Sequence, residues 1–166
     1  MKRNRVVLTV AGLGLVVAVG YAVRGWLASD ADRIRVAVHD AAAGFDTMHL
    51  SRAIAPFDES YREHTSPQFD YTTLQQALRY LFFHELDARK QFALRVHVEP
   101  SEFEVAVAPD DPEAAEARFH LRLERRNGET WKMLWELDVE AALRKTPQGW
   151  RIVRSRHTTT GGGMPR

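Results

Sequence analysis

The chain has 166 residues, no cysteine, and 23 Lys and Arg against 22 Asp and Glu, a net charge of +1. Without cysteine, disulfides, thiolate metal sites and cysteine nucleophiles are excluded. Taking Lys2, Arg3, Arg5 and Arg24, which flank the first apolar run, from the 23 basic residues leaves 19 against 22 acidic ones; the body of the chain is mildly acidic and poorly matched to nucleic acid.

That run, Val6–Val23 (VVLTVAGLGLVVAVGYAV), contains no charged residue. As a helix it spans roughly 27 Å, close to a ~30 Å hydrocarbon core. Tyr21 and Trp26 fall where interfacial aromatics sit. The expectation is a single-pass N-terminal transmembrane anchor over residues 1–28, with the lipid bilayer as its partner. The alternative is a cleavable secretory signal, with Lys2, Arg3 and Arg5 as the basic segment and Gly20-Tyr21-Ala22 as the cut site, although the run exceeds the usual ~7–15 residue core of such signals. Lys2, Arg3 and Arg5 before the run face Arg24, Arg33 and Arg35 after it, nearly a tie in number. The first three, however, lie within five residues of the run, whereas Arg33 and Arg35 lie about ten residues past it. This favours an inner-membrane protein with its amino terminus inside and its C-terminal domain periplasmic.

After the anchor, Ser29 or Asp30 caps a helix whose apolar positions Ile34, Ala37, Val38, Ala41, Ala42 and Phe45 follow helical spacing. Met48, Leu50, Ala53 and Ile54 predict a second short helix ended by Pro56. Tyr61–Phe69 shows little periodicity and reads as a connector with at most a short strand. Asp70–Arg89 is the strongest helical pattern: Thr73 and Gln76 form a capping box, and Leu74, Ala77, Leu78, Leu81, Phe82 and Leu86 make one stripe, so it is expected to be the packing helix.

From Gln91 the period changes to 2. Phe92, Leu94, Val96 and Val98 alternate with polar residues, then Phe103, Val105 and Val107 do the same after Pro100-Ser101. Pro109–Glu116 (PDDPEAAE) reads as a solvated acidic loop, since it lacks the acidic spacing and glycine of a calcium loop. Phe119, Leu121 and Leu123 lead to Asn127-Gly128, a hairpin signal of the type I′ kind. Trp131, Met133, Trp135, Leu137 and Val139 share one face of the returning strand, with Leu134 the one large apolar residue on the other. Trp150–Arg156 forms the last strand, and Thr158–Arg166 is expected to be a disordered tail. The fold class is α+β: an N-terminal transmembrane helix, then a domain over 29–157 with helices packed on one side of an antiparallel meander.

This order of elements, closing on Gly149-Trp150-Arg151-Ile152-Val153, resembles the nuclear transport factor 2-like superfamily over about Asp30 to His157. The resemblance implies a cone in which a curved antiparallel sheet wraps a long helix and leaves a pocket at the open end. Members include ketosteroid isomerase, scytalone dehydratase, limonene epoxide hydrolase and polyketide cyclases of the SnoaL-like type, together with non-catalytic binding or scaffold domains. Fold alone does not choose between these roles.

Enzymes of that superfamily which move protons place carboxylates, tyrosines or histidines on the concave face. Here the positions sharing core parity, Phe92 to Leu137, include no acid; Glu99, Glu102, Glu104, Glu124, Glu136 and Asp138 carry the opposite parity. No catalytic residue is therefore assigned. Arg154 shares parity with Trp150 and Ile152, and Tyr61, His64, Tyr80 and His84 lie near the expected helix ends. With walls from Trp131 and Trp135, these are the candidates to line a pocket for an apolar molecule bearing an anionic group; equally, the aromatic residues fill the core and Arg154 snorkels at the sheet edge. His97 and His120, among Arg95, Arg118 and Arg122, read as a solvated outer face rather than a metal site. The functional expectation is a non-catalytic accessory or scaffold that binds a partner protein or a small hydrophobic ligand and needs no cofactor. The alternative is an isomerase, dehydratase or cyclase acting in the cone pocket.

Overall fold

The computed structural model describes residues 29–66 and 68–163. The anchor expected over Val6–Val23 lies outside the described residues; among those described, no helix is long and apolar enough to cross a membrane.

Helix α1, Asp30–Asp46, starts with a full capping box: the Ser29 hydroxyl accepts the Asp32 amide at 3.1 Å, and the Asp32 carboxylate accepts the Ser29 amide at 3.3 Å. Its apolar stripe buries Ile34, Val38 and Phe45. Near its end a β-carbon on Gly44 would stand 2.6 Å from the Ala53 nitrogen, so glycine lets α2, Leu50–Ala53, dock directly on α1. The chain then forms β1, Phe57–Glu63, whose last three residues fall in the stretch read as a connector with at most a short strand. Its alternation is hard to see because one of its inward residues is an acid, Glu63.

Helix α3, Tyr71–His84, is capped by Asp70, whose side chain accepts the Thr73 amide at 2.8 Å. The Thr73 hydroxyl bonds to Asp70 as well, so the expected Thr73–Gln76 box does not form. The helix ends at His84 rather than Arg89, because Asp87 accepts the amides of Arg89 and Gln91 and turns the chain back. Phe82 is its only buried residue, so α1, with more of its stripe covered, is the principal packing helix.

The strands that follow are β2 (Leu94–Val98), β3 (Glu104–Ala108), β4 (Asp111–Asn127), β5 (Thr130–Thr146) and β6 (Gly149–Gly162), with one 3-10 turn at Pro100–Glu102. They join β1 in one sheet of order β1-β6-β5-β4-β2, with β3 pairing the first part of β4. Every pairing is antiparallel except β1 with β6. The expected acidic loop shrinks to Pro109-Asp110, and Asp111–Glu116 belongs to β4. The alanines of this stretch have weak strand propensity, yet Ala115 and Ala117 are buried under α1. At the next hairpin Asn127 pairs with Thr130, so the turn is Gly128-Glu129. Only Gly128 takes positive φ, +65°, which is the type II′ requirement rather than I′.

Three register shifts change which face side chains occupy. Leu123 pairs with Trp135 while Glu124 pairs with Met133, so Leu134 is an extra residue in β5. Beyond it Trp131 and Met133 move to the outer face, and Leu134 joins the core cluster of Phe45, Phe82, Phe92 and Leu94. Leu143 pairs with Ile152 while Ala142 pairs with Arg154, which turns Arg154 outward and Ser155 inward. A third shift opposite Glu136 and Leu137 lets β6 continue to Gly162 against Trp135. Thr158–Gly162, expected in the tail, is therefore strand, anchored by a Gly163 amide bond to the Leu134 carbonyl at 3.0 Å.

The core lies between the helices and the inner face of the sheet, with Ile34 0% and Leu94 1% exposed. Phe45, Phe82 and Phe92 meet at ring-centroid distances of 5.2–5.7 Å. Such contacts contribute about 0.5–1.5 kcal/mol each beyond area burial.

Candidate functional site

Between α1, α3 and the inner face of the sheet lies a cavity of about 180 Å³, bounded by Val38, Ala42, Leu74, Val96, Phe119 and Ile152 among others. Every side chain lining it is hydrocarbon. Its volume is comparable to that of an apolar cavity of about 150 Å³ that accepts benzene, so this space suits a small ring without polar groups. No acid, base or hydrogen-bond donor side chain points into it from the lining set.

The candidate residues named from sequence do not converge. Tyr61 is 3% exposed within the core, its hydroxyl 2.7 Å from the Ser155 hydroxyl, and burial raises its pKa. His64 is exposed just beyond β1, its amide donating to the Ser155 carbonyl. Tyr80 and His84 stack on each other at 4.2 Å on the exposed surface of α3. Trp131 stands on the outer face between two guanidinium groups, Arg95 at 4.4 Å and Arg126 at 4.9 Å from its ring centroid. Arg154 is exposed on the outer face. Of Trp131, Trp135 and Arg154, the three expected inward from strand parity, Trp135 keeps that position, against the cluster of Phe82 and Leu94.

Two inward polar residues were invisible to the strand parity. Glu63, paired with Ser155, is 5% exposed, and its Oε1 has no hydrogen-bond partner. Its Oε2 accepts from the Thr65 hydroxyl at 2.8 Å and from the Ser66 amide. His157 shares the inward side of β6; its Nδ1 lies 3.8 Å from Glu63 Oε1, and its ring meets the Trp135 ring edge to face at 5.7 Å. Burial pulls the Glu63 pKa upward, but the bonds from Thr65 and Ser66 and the nearby His157 outweigh it, and the carboxyl sits below its ordinary value. Trp135 Nε1 donates to the Thr159 hydroxyl at 3.0 Å, completing a polar cluster of Glu63, His157, Trp135 and Thr159 on the inner side. The Tyr61–Glu63 alternation was the one signal for Glu63; His157 required knowledge of the shift at Val153.

On the outer face His120 bridges two carboxylates, with Nδ1 2.9 Å from Asp138 and Nε2 3.2 Å from Glu136. Among the described residues, no three His, Asp or Glu side chains are grouped to hold a metal ion.

No protein-family model and no curated protein sequence matches this chain. Solved structures do. An NTF2-like protein with a cystatin-like fold from Novosphingobium aromaticivorans is 19% identical, with a TM-score of 0.62 over 86% of this chain and 90% of that one. A protein of unknown function with a cystatin-like fold from Nostoc punctiforme is 12% identical, with a TM-score of 0.57 over 76% and 88%. A ketosteroid isomerase-like protein from Erwinia carotovora is 15% identical, with a TM-score of 0.52 over 77% and 94%. The described domain therefore has the nuclear transport factor 2-like, or cystatin-like, cone fold: helices packed on a curved, largely antiparallel sheet.

Proposed function

We propose that this chain is a non-catalytic accessory domain that takes a small apolar molecule into its cone, tethered by Val6–Val23 at the inner membrane with the domain on the periplasmic side. The observation that carries the binding reading is the cavity of about 180 Å³ with a lining of hydrocarbon alone. Such a lining gives proton transfer nothing to work with. It rewards instead the burial of an apolar surface, about 25 cal/mol per Å². The tether rests on the uncharged run and its basic start. A cone that holds an apolar molecule beside a membrane suits a carrier or sensor working with a partner protein, and calls for no cofactor.

Titration with toluene tests the binding. The melting temperature of the full chain in detergent should rise with toluene, as linkage requires of a ligand that binds only the folded state. Ala42→Leu, which fills the cavity from α1, should abolish that rise while leaving the ligand-free protein folded. A melting temperature indifferent to toluene removes the reading.

A second reading, an isomerase, dehydratase or cyclase, is favoured by one observation, the inward Glu63–His157 pair against Trp135. A carboxylate orienting an imidazole is a general-base arrangement. His157→Gln separates the two readings: it leaves toluene binding unchanged in a binding domain and removes turnover in an enzyme.

A further inference from the structure

The outer face of the sheet carries a depression of about 690 Å³, a size in the range of small-molecule sites. One lateral row of residues crosses it. Arg62 on β1 is paired with Arg154 on β6, Arg154 with Ala142 on β5, Ala142 with Glu116 on β4, and Glu116 with Ala106 on β3. Two guanidinium groups thus stand on neighbouring strands at one end, above a floor of small side chains.

Most arginines of this face are neutralised. Arg118 and Arg156 share Glu140, Arg144 holds Asp111, and Arg95 holds Glu124. Arg62 and Arg154 form no ion pair among the described residues; Arg62 donates only to the Tyr61 carbonyl at 2.7 Å, and Asp70 feels its charge without pairing to it. Like charges on adjacent strands destabilise a sheet. The pair cannot separate by slipping, because Tyr61, Glu63, Ile152 and Ser155 occupy the inner face and set the register. An anion between the two guanidinium groups removes that repulsion and supplies charge-assisted hydrogen bonds.

We propose that this depression is a second binding site, for a small molecule with one anionic end, a carboxylate or phosphate, and an apolar body. The anionic end sits at Arg62 and Arg154, and the body lies along Ala106, Ala142 and Val153. Glu116 on the opposite side of Ala142 repels a second negative group, so a dicarboxylate binds worse than a monocarboxylate of equal length. The site is separate from the cone, whose cavity lies on the other face of the sheet.

Isothermal titration of the full chain at low salt with octanoate and with octyl phosphate tests this. At least one should bind, and Arg62→Gln and Arg154→Gln should each weaken it by about tenfold or more, with the double variant losing detectable binding. Arg79→Gln, an exposed arginine on α3, serves as the control and should leave binding unchanged. Both site arginines lie on the outer face, and circular dichroism checks that the variants remain folded. Failure of both probes to bind overturns the proposal. So does an affinity unchanged in the folded double variant, which would place the probe in the cone, or an equal affinity for uncharged octanol.

Discussion

On the inner face of the sheet, Leu94, Phe119, Leu123 and Leu143 are buried against the helices. One residue along the same strands, Arg95, Arg118 and Arg144 stand outside in ion pairs with Glu124, Glu140 and Asp111. The inner set determines register, because a one-residue slip exposes all of it at once. The outer set is free to vary in charge, and that freedom is what lets Arg62 and Arg154 sit together. Apart from the Glu63–His157 pair, the inner side offers shape and apolar area, whereas the outer side has charge at its disposal.

Truncation on the two faces should expose this difference most strongly. Leu94→Ala removes a side chain that is 1% exposed and should cost about 2–5 kcal/mol in urea unfolding. Arg118→Ala, which breaks an exposed pair with Glu140 at 3.9 Å, should cost no more than about 1 kcal/mol. Comparable losses from the two variants would mean that the inner face does not carry the fold.

Glu63 is the point where charge enters the inner side, and it sharpens the comparison through pH. Its folded pKa lies below the ordinary value, since the bonds from Thr65 and Ser66 and the charge of His157 together outweigh the opposing and individually largest effect of burial. The folded state then binds fewer protons than the unfolded one as the solution is acidified. Stability contributed by the carboxylate is present above about pH 4.5 and is lost as pH falls through the lower folded value. Glu63→Gln should accordingly lose less stability than the parent between about pH 5 and about pH 3. Parallel stability profiles for the two proteins would show that Glu63 is not held ionised in the fold.

The first two helices, the positions of the later strands and most of the inner set were legible because apolar residues recur with periods of 3.6 and 2. The expected consecutive meander was not what forms, since β2 and β3 both pair β4 and β1 joins β6 in parallel. What escaped was any residue beyond a bulge. Trp131 and Arg154 share parity with the core in the sequence, yet Leu134 and Val153 each add one residue and carry them to the outer face. Strand ends were hidden for another reason. Asp111–Glu116 and Thr158–Gly162 are strand by pairing with long neighbours, and their own acidic, alanine, threonine and glycine residues give little local signal. The cone cavity was expected with aromatic and charged walls; its hydrocarbon lining comes from residues read as ordinary core.

The smallest expected effect lies on the outer face, at His120, and it has the opposite sign to that of Glu63. Both ring nitrogens face carboxylates, Nδ1 to Asp138 and Nε2 to Glu136, so the ring donates twice only when it is protonated. The Asp138 bond raises the pKa most, burial works against it, and the Glu136 bond adds to the rise. The folded state therefore holds the proton to higher pH than the unfolded state. Its contribution is fully present below about pH 6.5 and disappears as pH rises through the raised folded value. Asp138 is 64% exposed, which keeps the contribution within about 1 kcal/mol. His120→Gln should be less stable than the parent at about pH 6 and equal to it near about pH 9, measured by urea unfolding. A gap that stays constant or widens over that range would mean that the ring acts by packing against the strands rather than by its charge, and the outer face would then resemble the inner one at this position.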